Sequence, residues 1–167
     1  MNRLPHHVLA LLPTLGLAAA AAAQCTTLSA TAYAEVVAPG CGTPVLVVSA
    51  PPQFGTVTTL DAVNLDLGTF GIQIVVYAFK LPPTSPPAVW TGDVLGYPLA
   101  SGCFNHLPDA SLHVLAIGYT GVTSVAIAVP ASGYAVGSIV SAQAFQLDLN
   151  TVSFSSATNS VCLYLGP

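Results

Sequence analysis

Ser101, His106 and Asp109 form the tightest grouping of hydroxyl, imidazole and carboxylate in this 167-residue sequence. A hydrolase built on them would need His106 to take a proton from a serine and Asp109 to orient the ring. No Gly-x-Ser-x-Gly elbow accompanies them. They surround Cys103 in a stretch with the polarity of an ordinary loop, so no catalytic residue is assigned and the chain reads as non-enzymatic. His113 falls inside an alternating apolar run and reads as a strand histidine rather than a ligand. Asp61 and Asp66 carry carboxylates suited to calcium, but no D-x-D-x-D-G loop holds them. Asp148 lies two residues before Asn150, and turn chemistry accounts for it. No cysteine pair has the C-x-x-C spacing of a zinc site. Neither a metal nor a cofactor is called for.

Trp90, Asp93 and Tyr97 make a better case for binding. Flat aromatic faces beside a carboxylate can stack on sugar rings, and loops on rigid scaffolds often carry binding. The competing reading seals one end of the core with Trp90, the only tryptophan, because large aromatics are mostly buried.

The compartment narrows the partners. Residues 1–23 have a basic start with Arg3, an apolar middle from Val8, and alanines up to Ala23. That order describes a secretory signal peptide, with Ala21 and Ala23 fitting a cleavage site. An anchor helix needs a longer apolar run than this. Gln24 before Cys25 does not suit lipid attachment, which needs a small residue there. Residues 24–167 then form one domain, which is secreted, periplasmic or held at the cell surface. Its only base is Lys80, against six acids. This excludes recognition of a phosphate backbone, which needs many cationic contacts. The whole chain is 53% hydrophobic and 5% charged, and no later apolar run is long enough for a spanning helix. So uncharged a surface suits a protein that is tethered, packed among its own copies or held in a matrix. The expected partner is a cell-envelope polysaccharide or a surface protein. Cys25, Cys41, Cys103 and Cys162 all follow the leader, which implies two disulfides in an oxidising compartment, with three connectivities open.

The elements that must position these residues read as strands. Ser141–Asp148 places Ala142, Ala144, Gln146 and Asp148 on one side and Gln143, Phe145 and Leu147 on the other. Val161–Gly166 alternates Val161, Leu163 and Leu165 with Cys162 and Tyr164. With a polar joint between them, these two half-buried runs form a closing antiparallel pair. Ile72–Phe79 is rich in β-branched and aromatic residues. Thr27–Val37 alternates through Ala30, Ala32, Ala34 and Val36, and Val45–Ser49 is a short apolar strand. Val57–Leu67 puts Val57, Thr59, Val63, Leu65 and Leu67 on one face, interrupted by Asp61. Leu112–Tyr119 and Val122–Val129 are joined by Thr120-Gly121, which predicts a tight hairpin. Pro82, Pro83, Pro86 and Pro87 forbid a central strand and favour an extended surface segment. Helix-surface residues are nearly absent. The sum is an all-β chain: a single antiparallel β-sandwich of about eight or nine short strands, Ig-like or jelly-roll-like. A small outer-membrane barrel fits less well, for the strands are short and the aromatics form no girdle.

The order of GCGTPVL (Gly40–Leu46), PPQFG (Pro51–Gly55), LGYPL (Leu95–Leu99), Gly102-Cys103, VPASGYAVGS (Val129–Ser138), QAFQLD (Gln143–Asp148) and ATNSVCLYLG (Ala157–Gly166) resembles a secreted β-sandwich domain. That domain recurs in planctomycete-type bacterial exported proteins. The resemblance implies fold and location but no activity. It also implies pairing of Cys41 with Cys103, the two recurrent Gly-Cys positions, which leaves Cys25 for Cys162.

Overall fold

The computed structural model describes Cys25 and residues 31–68, 70–81, 92–131 and 137–167. The leader assigned to residues 1–23, the four prolines after Leu81 and Trp90 lie outside the described residues.

The longest strand is also the most enclosed. β9 (Ile139–Asp148) is flanked by β4 (Gln73–Lys80) on one edge and by β10 (Ser153–Ala157) and β11 (Ser160–Tyr164) on the other, all antiparallel. β1 (Tyr33–Ala38) pairs with β11, and β7 (Leu112–Gly118) pairs with β4. These six strands form one sheet. A second sheet runs β2 (Val45–Val48), β3 (Val57–Val63), β8 (Thr123–Ala128). β5 (Asp93–Val94) and β6 (Tyr97–Pro98) form a small separate hairpin. Nine strands of four residues or more, plus this hairpin, make an all-β, antiparallel sandwich with no helix among the described residues.

The core follows from alternation. Leu46, Leu60 and Ala62 of the small sheet meet Val75, Tyr77, Phe79, Ala142, Ala144, Val161 and Leu163 of the large one. Burial of this kind contributes roughly 1.5–3 kcal/mol per large apolar side chain. The Tyr77 hydroxyl crosses the layer, donating to the Thr123 carbonyl at 2.6 Å and accepting the Ala62 N–H at 3.2 Å. Burial pushes its pKa up, which keeps the donor protonated. The large sheet is covered on its other face as well. Val76, Ala78 and Phe145 pack there against Val94, Leu99, Cys103 and Phe154. Residues 92–111 are thus a third, irregular layer.

Several expectations need correction. The closing pair is buried on both faces, because the third layer covers Phe145 of β9 while Cys25 and Tyr33 cover Cys162 and Tyr164 of β11. Its polar joint contains β10, which continues the ladder along β9. Thr158 stays in register through its N–H to the Ala144 carbonyl, at 2.8 Å. In β3 the buried side is Thr58, Leu60 and Ala62, and Val57 is exposed. Thr58 can be buried because its hydroxyl donates to the Ala50 carbonyl at 2.6 Å. β3 ends at Val63, and Asn64 just beyond it has a left-handed φ of 58°. In β1 the outward residue is Val36, 63% exposed, while Tyr33 stacks on Tyr164 with ring centres 4.1 Å apart.

Thr120-Gly121 does not close a hairpin. β7 and β8 belong to different sheets, so the turn is an arch over the edge of the sandwich. Gly118 is what the arch requires. A Cβ there would lie 2.6 Å from the Thr123 Cγ2 and from the Val122 carbonyl oxygen.

Disulfides join Cys25 to Cys162 and Cys41 to Cys103, with Cα atoms 5.7 and 5.2 Å apart. The first ties the chain ahead of β1 to the buried face of β11. The second ties the turn before β2 to the third layer.

Candidate functional site

Ser101, His106 and Asp109 share the third layer but turn to different tasks. Ser101 is exposed. Asp109 binds Lys80 at 2.5 Å, and its side chain is largely in solvent. His106 is buried, with Nε2 3.2 Å from the Pro39 carbonyl, so the N–H donates there. Burial lowers its pKa, and the Pro39 carbonyl opposes that shift less strongly. The ring is therefore held neutral by its surroundings and engaged with backbone. What this arrangement does chemically is fix a loop.

Its anchor is Gln143, on β9 and fully buried. The Gln143 Oε1 accepts the His106 N–H at 2.9 Å. Its Nε2 donates to the carbonyls of Phe104, at 3.1 Å, and Thr158, at 3.0 Å. Two more amides act in the same way. Gln146 bonds both the N–H and the carbonyl of Asp66, and Asn159 does the same for Leu46. Each amide imitates a strand neighbour and satisfies backbone groups that no strand reaches. None of the three stands out by residue type. The signal was position: Gln143 shares its strand face with Phe145 and Leu147, where a polar residue needs a buried partner.

A pH dependence follows from His106. The unfolded chain takes up a proton near an ordinary histidine pKa of about 6.5, and the folded chain resists it. The unfolded state thus binds more protons in that range, so stability rises with pH. Acidification from pH 7 to 5 lowers the urea midpoint of the native protein. In His106→Gln that acid-side loss shrinks measurably. An unchanged pH profile in the variant would place the sensitivity elsewhere.

Of the proposed binding trio, Trp90 lies outside the described residues. Asp93 and Tyr97 sit on the β5–β6 hairpin. Asp93 pairs with Pro98 and Val94 with Tyr97. Directly paired residues share a face and neighbours along a strand alternate, so Asp93 and Tyr97 lie on opposite faces. Tyr97 is 48% exposed, and the Asp93 carbonyl accepts the Asn105 amide at 3.0 Å.

Of the two acids weighed for calcium, Asp66 meets Gln146 through its backbone, and Asp61 is engaged by its side chain. Asp61 accepts the Ser124 hydroxyl at 2.6 Å. Asp148 accepts the Asn150 N–H and the Thr151 hydroxyl, both at 2.9 Å, across the β9–β10 turn. Those bonds hold its pKa below the ordinary value.

A groove of about 300 Å³ opens at one end of the sandwich, between Leu67, Phe70 and Ile72 on one wall and Leu147 and Leu149 on the other. Phe70 is 70% exposed. From Ile74 the apolar surface continues across the ladder to Ile117 and Leu115, which pair with Ile74 and Val76. They are 55% and 62% exposed. The sequence hid this surface, since Leu112–Tyr119 carries apolar residues on both faces and nothing local says which stay uncovered.

No protein-family model, curated protein or solved structure matches the chain.

Proposed function

We propose that the chain is a secreted or cell-surface protein with a structural or adhesive role and no catalytic one. One observation carries this reading. Of the residues weighed for catalysis, buried His106 donates its ring N–H to the Pro39 carbonyl while Gln143 holds its backbone, and Asp109 pairs with Lys80. Supporting it, much of the exposed surface is apolar, from Phe70 through Leu115 to Ile117, with only Lys80 as a base after Arg3. Two disulfides agree with an oxidising compartment, and no helix among the described residues is long and apolar enough to cross a membrane. Kinship with the exported β-sandwich domain of planctomycete-type bacteria belongs to the same proposal, supported by the joined Gly-Cys positions at Cys41 and Cys103.

A second reading makes it a carbohydrate-binding module using Trp90 and Tyr97, favoured by the exposure of Tyr97. One experiment separates the two. Purified oxidised protein is titrated with cell-envelope polysaccharides while Trp90 emission is followed, and producing cells are fractionated in parallel. Retention with the envelope and no spectral change supports the structural reading. A saturable shift, lost in Tyr97→Ala, replaces it with carbohydrate binding. Protein found wholly in the culture fluid without any such shift refutes envelope attachment and carbohydrate binding alike.

A further inference from the structure

We propose that β7 is a self-association edge, where a second copy of this chain adds its own β7 antiparallel and joins the two large sheets. The inference gives a partner to the structural role proposed above and rests on that reading only for its biological setting.

An edge strand offers a row of backbone donors and acceptors to any extended chain, and natural proteins blunt such edges with charge, proline, bulges or short length. Of β1, β7, β2 and β8, the strands that end the orders of the two main sheets, three are blunted. β1 carries Glu35, shifts register between Val36 and Ala38, and runs into Pro39. β2 is four residues long and follows Pro44. β8 holds its Ser124 hydroxyl on Asp61 and leads into Pro130. β7 has none of these devices. It runs seven residues, Leu112–Gly118, in unbroken register with β4, with no proline and no Asp, Glu, Lys or Arg. Among the described residues it pairs with β4 alone.

The residues of β7 select the occupant. Backbone pairing demands an extended strand, and the exposed side chains demand an apolar, uncharged one. β7 itself is that strand. Antiparallel pairing of two copies about Leu115 sets Leu115 against its own twin and Val114 against Ala116. Ile117 then faces His113. The exposed Leu115 and Ile117 come together on the outer face of the joined sheet. No like charges are brought face to face, and the arrangement is two-fold, as a closed dimer requires. The same approach covers an apolar cleft of about 240 Å³ between β7 and β8, lined by Phe79, Leu112, Val114, Val125 and Ile127.

Sedimentation velocity of the full chain with both disulfides intact tests this. The native protein sediments as a dimer at micromolar concentration. Leu115→Lys, an exposed position whose change leaves the far-UV CD and melting unaltered, weakens the dimer on the order of 100-fold, as charge on an edge strand does. Val36→Lys, on the opposite edge, stays dimeric. Register is read separately. Pairing about Leu115 puts the two residue-115 Cβ atoms roughly 5 Å apart. It separates the two residue-112 positions by roughly 20 Å, six residues of strand rise. A short thiol cross-linker therefore joins Leu115→Cys chains and not Leu112→Cys chains. A monomer at all concentrations, a dimer that survives Leu115→Lys, or cross-linking through residue 112 instead of 115 overturns the proposal. Envelope retention of Leu115→Lys reports on the wider role independently: a dimer lost in solution supports the pairing, and retention kept supports the structural role.

Discussion

Replacing Cys25 and Cys162 together by alanine lowers the unfolding free energy by up to about 5 kcal/mol, and replacing Cys41 and Cys103 by up to about 4 kcal/mol, in the loop-entropy description. The difference comes from the loops closed, which separate the paired residues by 137 and 62 positions. Either loss is large against a net stability of roughly 5–15 kcal/mol for a domain. Losing both pairs leaves a chain that does not hold its fold at 37 °C. Urea denaturation of the two double variants measures the effect. A change under about 1 kcal/mol for the longer loop would show that the reduced chain keeps the same constraint by other means. The local consequence differs between the pairs. Opening Cys41–Cys103 releases the third layer from the turn before β2. Opening Cys25–Cys162 leaves the layers in place but frees the chain ahead of β1.

Gln143→Leu costs about 2 kcal/mol or more, because it strands the buried His106 N–H and Thr158 carbonyl, at roughly 1–3 kcal/mol each, and drops a part-buried bond to the Phe104 carbonyl. These three groups belong to two segments, residues 104–106 and the joint between β10 and β11. The variant therefore loosens the third layer and the closing strands together. Hydrogen exchange shows this as lost protection at His106 along with residues near Thr158. Gln146→Leu provides the comparison. It strands only the N–H and carbonyl of Asp66, at the sandwich end, and its effect is smaller. Equal costs for the two variants would mean that the loop around His106 contributes little to holding the sheet.

Much of the sandwich was legible, and for definite reasons. β4 announced itself through Ile74, Val75, Val76, Tyr77 and Phe79, residues that suit a pleated surface. β9 and β11 showed correct alternation, and only the burial of both faces was unseen. That layer is built from residues 92–111, which carry turns rather than a period, so nothing local announced where they pack. Val57–Leu67 shows its apolar residues on the side that the fold leaves out, because Thr58 and Ala62 look less apolar than Val57 and Val63. A hydrogen bond to Ala50 and small size are what admit them to the core. The arch after β7 carried a Thr-Gly pair that normally signals a hairpin. Its actual course depends on how closely Gly118 approaches Thr123, a contact invisible in one dimension. Of the candidate site, the loop character of Ser101–Asp109 was legible. Its attachment to Gln143 was not, since the place of that glutamine beside Phe145 and Leu147 calls for a buried partner without naming it.

The bond between Cys25 and Cys162 has a mechanical consequence. A pull that enters the chain ahead of Cys25 and leaves beyond Cys162 travels through one sulfur–sulfur link between Cα atoms 5.7 Å apart. The residues between Cys25 and Cys162, with most of both sheets, stay out of the load path. An object held at a surface from either side of this link can be tugged without being unzipped. Its sheets then experience the solvent and their neighbours, while covalent bonds bear the tension.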